Sequence, residues 1–298
     1  VNVAGGLDVV IDNAKALPGY LSMFQNYDVA TGTASPYRLL TILSTLAWGL
    51  GYFGMPHILL RFMAIEEEEK LTLSRRIAII WVVISMAVAV FIGVIGYSMS
   101  KAGAIDVLEG SNSETIIVRI ADLLSRHGVI CALLAGIILA GILASTMSTA
   151  DSQLLAASSA VSSDMLNRNG KSGIIAARIT LMLIAVFAVI LARNPNSSVF
   201  QIVSFAWAGF GAAFGPVVLF SLFWRRTNKY GALAGMLSGG VVIFVWKYLV
   251  RPLGGIWNIY ELLPAFIVAC VAIVVFSLAT PAPDQSILDE FDRAASGK

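Results

Sequence analysis

Charged residues are scarce in this 298-residue sequence: they make up 13% of it, whereas soluble domains carry about 25%. Hydrophobic residues account for 58%. A chain this poor in charge cannot cover a large water-facing surface, so the soluble globular classes are excluded. The apolar residues occur in long runs, which are typical of membrane-spanning helices. The composition therefore predicts an all-α, polytopic membrane protein.

Cysteine is almost absent: Cys131 and Cys270 both lie in apolar runs, so a disulfide framework is not expected. The net charge is +2, and no basic stretch is interleaved with aromatic residues, so we expect no nucleic-acid partner. No Cys/His cluster or Ser–His–Asp order stands out, and we do not expect an enzyme. The sequence opens with VNVAGGLDVV, without an initiator Met or a signal peptide, and we expect it to be part of a longer protein.

Seven segments are apolar over about 20 residues, the length that a helix needs to cross a bilayer. They are 39–65, 77–100, 128–160, 174–192, 199–224, 232–250 and 262–280. Of the lysines and arginines outside or flanking them, 12 lie on the side of the C-terminal segment and eight on the other side. Because basic residues accumulate in cytoplasmic loops, we predict that segment 1–38 is extracytoplasmic and that the polar tail 281–298 is cytoplasmic. We expect the tail to be loosely ordered.

The connection 101–127 is long for a membrane hairpin and contains ETIIVRIADLL at 114–124, with apolar residues at helical spacing. An amphipathic helix there is either a lid over a transport pathway or a surface helix packed on the bundle. We favour the surface helix.

The first apolar segment contains WGLGYFGMPH at 48–57, where three glycines and a proline weaken the helix. We therefore predict that the helix is interrupted near 51–56, at mid-membrane depth. Transporters bind substrates and ions at such interruptions, whereas a packing kink is the simpler alternative. Trp48, Tyr52 and Pro56 are spaced four residues apart, and the two rings combine apolar bodies with polar tips. They suit a small, partly apolar amino acid.

The third apolar segment contains STMSTADSQ at 145–153. Ser145, Ser148 and Thr149 follow the spacing of one helix face. Hydroxyl and carbonyl oxygens are neutral, hard ligands, and they suit a monovalent cation that must be released again, such as sodium. The alternative is that each hydroxyl bonds the carbonyl one turn back. Asp151 is costly in a membrane, but its role stays open.

Glycines at four-residue spacing recur in later segments, at Gly211 and Gly215 and again at Gly235 and Gly239. Such pairs allow close helix packing. With Pro216, they are also compatible with a bending gate, and the sequence does not decide between the two.

Four stretches together resemble the sodium/solute symporter family, in particular its bacterial sodium/proline symporters. They are WGLGYFGMPHILLRFMA (48–64), MSTADSQLLAASSA (147–160), SFAWAGFGAAFGPVVLFSLFW (204–224) and RTNKYGALAGMLSGG (226–240). The resemblance implies a fold of two inverted five-helix repeats. Residues 39–224 would be the second repeat, and 225–280 would be two peripheral C-terminal helices. The first repeat would belong to a missing N-terminal half.

The resemblance also implies roles for individual residues. Trp48, Tyr52 and Pro56 match positions linked to proline binding. Ser148 and Thr149 match the hydroxyl pair that ligates sodium, and Ser145 matches a position that contributes its backbone carbonyl.

The expected function is sodium-coupled symport of L-proline across the bacterial cytoplasmic membrane by alternating access, with the lipid bilayer as surroundings. A symporter for another small solute such as pantothenate, or the transporter-like input domain of a membrane sensor, remains an alternative.

Overall fold

The computed structural model describes residues 1–29, 31–166, 170–193 and 198–296, and most of them are helical. Among these residues, six helices are long and apolar enough to cross a membrane. A seventh span results if Leu39–Gly54 and Pro56–Met63, which meet at an angle of 56°, are counted as one broken span. The prediction of an all-α, polytopic membrane protein is confirmed.

Eleven α-helices are described. They are α1 (Leu7–Lys15), α2 (Leu39–Leu46), α3 (Pro56–Met63), α4 (Lys70–Lys101), α5 (Ile116–Ser125), α6 (Val129–Ser159), α7 (Gly170–Ala192), α8 (Val199–Phe223), α9 (Lys229–Val245), α10 (Leu262–Ala279) and α11 (Gln285–Ser296). Short π-helical segments extend α6 to Met165 and α9 to Val250. The last two residues of the predicted tail lie outside the described residues.

Two short strands in the N-terminal segment were not predicted. β1 (Gln25–Asp28) pairs with β2 (Thr33–Pro36) in a two-stranded sheet. Their sequences, QNYD and TASP, lack the alternation of apolar and polar residues that marks a half-buried strand. Both strands are largely exposed, so no core face imposes that alternation.

The first of two compact units consists of Val1–Ser35 and Ala64–Val199. Its buried cluster joins Val10 of α1 to Met99 of α4, with Ile120 of α5 packed against them. Ile116 of α5 fills the space above Gly96 of α4, and α5 also packs along α6. This packing favours the surface helix over the lid for 114–124.

The second unit consists of Pro36–Met63 and Phe200–Lys298. Its core is built from small residues of α8, Ala208 and Ala212, against Leu262 and Phe266 of α10. The predicted division into a repeat, 39–224, and two peripheral helices concerns topology, whereas the two units are defined by packing. The second unit joins the first predicted span to the last three, and the repeat boundary stays a prediction.

The polar tail is more ordered than expected, because residues 285–296 form α11. Arg225, just after α8, donates from Nε and Nη2 to the two carboxylate oxygens of Asp292, at 2.9 and 2.8 Å. This exposed ion pair links the mostly polar helix α11 to the end of α8.

Close packing of α9 depends on glycines. A Cβ on Gly235 would meet the Ile273 side chain of α10, and one on Gly239 would collide with the backbone carbonyl of Ala212 in α8. The neighbouring Gly240 faces open space. The spacing Gly235–Gly239 therefore serves packing in this unit.

We expect Gly239→Ala to lower the thermal stability of the full-length protein in detergent, because overpacking against a backbone atom costs about 1–3 kcal/mol. Gly240→Ala is the matched control: its methyl group meets nothing within 4 Å. Alanine stabilises a helix interior by up to about 1 kcal/mol relative to glycine, so the control should be neutral or slightly stabilising. Equal changes in the two melting temperatures would refute this account of the packing.

Candidate functional site

The candidate site is built around the interruption of the first span. After α2 the chain continues as a 3-10 helix over Ala47–Gly54, and Met55 is extended, with φ −88° and ψ 110°. Pro56 then starts α3. Proline disfavours the helical conformation for the residue before it, and the glycines weaken the preceding turns. Eight residues of 3-10 helix are unusually long, since such runs rarely exceed four.

Trp207 of α8 stabilises the interrupted backbone. Its indole Nε1–H donates to the backbone carbonyl of Trp48 at 3.0 Å. A backbone group without a partner in hydrocarbon costs several kcal/mol, so an irregular segment needs a donor from elsewhere in the protein. An indole suits this position because it combines one donor with a large apolar surface.

The interruption lies directly against the backbone of α8. A Cβ on Gly51 would overlap the Trp207 indole, and a Cβ on Gly54 would collide with the carbonyl of Phe210. From the other side, a Cβ on Gly211 would lie 2.7 Å from Gly51 Cα. Glycine on both helices is therefore a steric requirement of this contact.

The aromatic rings around the break form a continuous stack. Trp48 stacks between Phe200 and Trp207, with ring centroids 5.6 Å away in each case, and its ring also lies 5.8 Å from Tyr260. Tyr52 meets Trp207 edge to face at 4.8 Å. Trp48 is half-buried, whereas Tyr52 remains 50% exposed. Trp48 and Tyr52 thus come together on one indole, while Pro56 lies beyond the bend with an exposed side chain.

Tyr260, which lies between the last two spans, is held beside Trp48 by two hydrogen bonds. Its hydroxyl donates to the Ser204 carbonyl of α8, and its N–H donates to the Ser44 hydroxyl of α2, both at 2.6 Å. Burial raises the pKa of the Tyr260 phenol, and the adjacent Glu261 carboxylate raises it further. The hydroxyl therefore remains a donor at physiological pH.

Neither Trp207 nor Tyr260 was assigned a role from the sequence. For Trp207 a signal was present: Trp207, Gly211 and Gly215 are four residues apart, so they share one face of α8. That face is the one that receives the interruption. Tyr260 follows a connection with no helical period, and its contacts depend on tertiary structure.

The hydroxyl-rich stretch lies on α6, in the first unit. The Thr149 hydroxyl lies 3.2 Å from the carbonyl oxygen of Ser145 and donates to it. Two oxygen ligands of one cation, each at about 2.3–2.6 Å and at right angles, lie about 3.5 Å apart. The side chains of Ser145, Ser148 and Thr149 are all exposed. The geometry fits both hypotheses: a local hydrogen bond as it stands, or two ligands of one ion after a rotation of the hydroxyl proton.

Thr146 and Ser152 make the same kind of bond, to the carbonyls of Ile142 and Ser148, at 2.9 Å. The bond of Thr149 is thus not unusual for this helix.

Comparison with known proteins identifies the family. Residues 2–239 match the family model described as Sodium:solute symporter family. The chain belongs to the sodium:solute symporter family. Its curated relatives have the names of proline transporters.

The "Sodium/proline symporter" of Haemophilus influenzae is 43% identical to this chain over 262 residues, which cover 86% of the chain and 51% of the relative. The "Sodium/proline symporter" of Escherichia coli is 38% identical over 281 residues, 91% of the chain and 52% of the relative. The "High-affinity proline transporter PutP" of Bacillus subtilis is 35% identical over 298 residues, 98% of the chain and 58% of the relative. The chain thus spans about half the length of these relatives. No solved structure matches it.

The contact between Gly51 and Trp207 leads to a prediction about stability. Gly51→Ala should displace the indole from the Trp48 carbonyl and lower the melting temperature of the full-length protein by several degrees, because a buried unpaired carbonyl costs about 1–3 kcal/mol. Gly49→Ala, two residues away, is the matched control, since its methyl group faces open space. If the Gly51→Ala and Gly49→Ala proteins have the same melting temperature, the proposed close contact between Gly51 and Trp207 of α8 is refuted.

Proposed function

We propose that the full-length protein carries out sodium-coupled symport of L-proline across the bacterial cytoplasmic membrane. The observation that carries the proposal is the interrupted span, with Trp48 and Tyr52 gathered on the Trp207 indole, in a chain whose relatives are named sodium/proline symporters. An aromatic pair beside a broken helix offers apolar surface for a pyrrolidine ring. Backbone groups near the break are suited to bind the polar groups of the ligand.

Residues Ser145, Ser148 and Thr149 provide the sodium ligands in this proposal. The carbonyl of Ser145 and the hydroxyl of Thr149 are adjacent, and the Ser148 hydroxyl lies one residue before Thr149 on α6. All three oxygens are neutral, so the ion is held without a full opposing charge and is released readily. The remaining ligands belong to the first repeat, which lies in the missing N-terminal half.

Coupling follows from reciprocal binding free energies. Sodium bound at α6 favours the outward-open state and orders the proline pocket, and proline in turn tightens sodium binding by the same factor. Loss of sodium to the cytoplasm, where its concentration is low, then releases proline. In this arrangement residues 39–224 form the second inverted repeat, 225–280 the peripheral helices, and the C-terminal segment is cytoplasmic.

The sodium site is tested by uptake of labelled L-proline into proteoliposomes at varied sodium concentration. Thr149→Ala should raise the sodium concentration for half-maximal uptake about tenfold, the effect of losing about 1.4 kcal/mol of ion binding. Thr149→Ser keeps the hydroxyl and should restore most of the affinity.

Thr146→Ala is the matched control, because Thr146 makes the same one-turn hydrogen bond on the same helix but has no place in the proposed site. Equal sodium requirements for Thr149→Ala and the wild type would rule out Thr149 as an ion ligand. Absence of sodium-dependent proline uptake in the wild type would reject the proposed function itself.

The substrate pocket is tested with Trp48→Ala and Trp48→Phe. Loss of the aromatic surface should raise the KM for proline at least tenfold, because burying an aromatic side chain against a ligand contributes more than about 1.5 kcal/mol. Phenylalanine retains part of the stack with Phe200 and Tyr260 and should have an intermediate KM. A change in protein yield with an unaltered KM would favour the packing kink over the binding site.

A further inference from the structure

A cavity of about 810 Å³ opens in the second unit, beside Trp48. It lies where α2, α8 and α10 begin and where the extension of α9 ends. Among its lining residues, only the stacked rings of Trp48, Phe200 and Tyr260 and the supporting Ser44 and Ser204 were described above.

One wall of the cavity is charged. Glu261 is buried, with its side chain 1% exposed, and Arg251 Nη1 donates to its Oε2 at 2.7 Å. Lys247 Nζ lies 3.8 Å from the other carboxylate oxygen. A buried carboxylate requires a cation, and Arg251 meets that need. Among the described residues that line the cavity, two cations thus lie beside one carboxylate, so the net charge of the lining is +1.

The neighbours of Lys247 contact its ammonium group but do not use all of its hydrogen-bond donors. The nitrogen lies 3.9 Å from the centroid of the Phe205 ring, and the side chain is 27% exposed. A distance of 3.8 Å to Glu261 is too long for a hydrogen bond. An ammonium has three donors, so Lys247 retains donor capacity at the edge of the cavity.

The cavity is also lined by Trp48 and by Phe200 and Tyr260, whose rings stack on it. A cation and an apolar, aromatic surface in one cavity suit an organic carboxylate with a small apolar body. An inorganic anion would leave the aromatic wall without a partner.

We propose that this cavity binds a small organic carboxylate, with its carboxylate on Lys247 and its apolar body against Trp48 and Tyr260. Resting on the proposed function, the ligand is the transported amino acid. The cavity is then an entry subsite that shares Trp48 with the interrupted span. A free amino acid is a zwitterion without net charge, so Lys247 acts on it at short range: the ammonium pairs with the carboxylate and orients the ligand at the entrance.

The first test measures the kinetics of sodium-driven L-proline uptake by the full-length protein. Lys247→Gln should raise the KM about fivefold and leave the maximal rate unchanged, and Lys247→Arg should restore the KM. The buried Glu261 keeps Arg251 as its partner in both variants, so folding should be preserved, and the melting temperature checks this.

Lys229→Gln is the matched control. Lys229 also lies over an aromatic ring, that of Tyr230 at 5.1 Å, but at the opposite end of the same helix and outside the cavity. Its removal should leave the KM unchanged. Equal KM values for Lys247→Gln and Lys229→Gln would overturn the proposal.

The second test measures equilibrium binding of L-proline and of prolinamide, which lacks the carboxylate, to the purified full-length protein without sodium. The wild type should prefer proline, and Lys247→Gln should lose most of that preference. If proline is not transported but its carboxylate still requires Lys247, the proposed function fails and the cavity site stands. If proline is transported and the preference is unaffected by Lys247→Gln, or the wild type shows none, the cavity site fails alone.

Discussion

An interrupted helix inside a membrane leaves backbone carbonyls without their usual partners, and the architecture of the second unit depends on how this is resolved. Trp207 supplies a donor to the Trp48 carbonyl, and glycines on both helices bring the two backbones close enough for it to do so. The contact constrains both elements. Gly51 and Gly211 have no room for a Cβ, and the Trp207 indole packs directly against Gly51 while it donates to the Trp48 carbonyl. A packing requirement and a hydrogen-bonding requirement thus act at the same place.

The same contact arranges the aromatic residues of the proposed proline site. Because Trp207 is fixed by its hydrogen bond, the rings of Trp48 and Tyr52 are oriented on its face and edge, and Tyr260 secures the outer end through two 2.6 Å hydrogen bonds. An ordered aromatic surface reduces the entropy lost when a ligand binds. The proposed sodium ligands differ in kind: they are neutral oxygens on a regular helix, and two of them, the Ser145 carbonyl and the Thr149 hydroxyl, lie one turn apart.

The last two spans pack against α8, and the connection between them also supplies polar and charged groups to the cavity beside Trp48. Residues around the connection between α9 and α10 contribute Tyr260, the buried Glu261 and the two cations beside it. In the proposal, one cation neutralises the carboxylate and the other attracts the ligand. Peripheral helices would in this way affect the access of the substrate to a site formed elsewhere.

The span positions were determined by composition and length alone. The predicted segment 262–280 corresponds to Leu262–Ala279, and 199–224 to Val199–Phe223, because twenty apolar residues have few alternatives in a bilayer. The location of the break was also local, since glycines and Pro56 act on their own backbone. What the sequence did not specify is which groups complete the break. Trp207 lies 159 residues from Trp48, and Arg225 lies 67 residues from Asp292. Such pairings depend on the approach of distant helices, which only the tertiary structure decides.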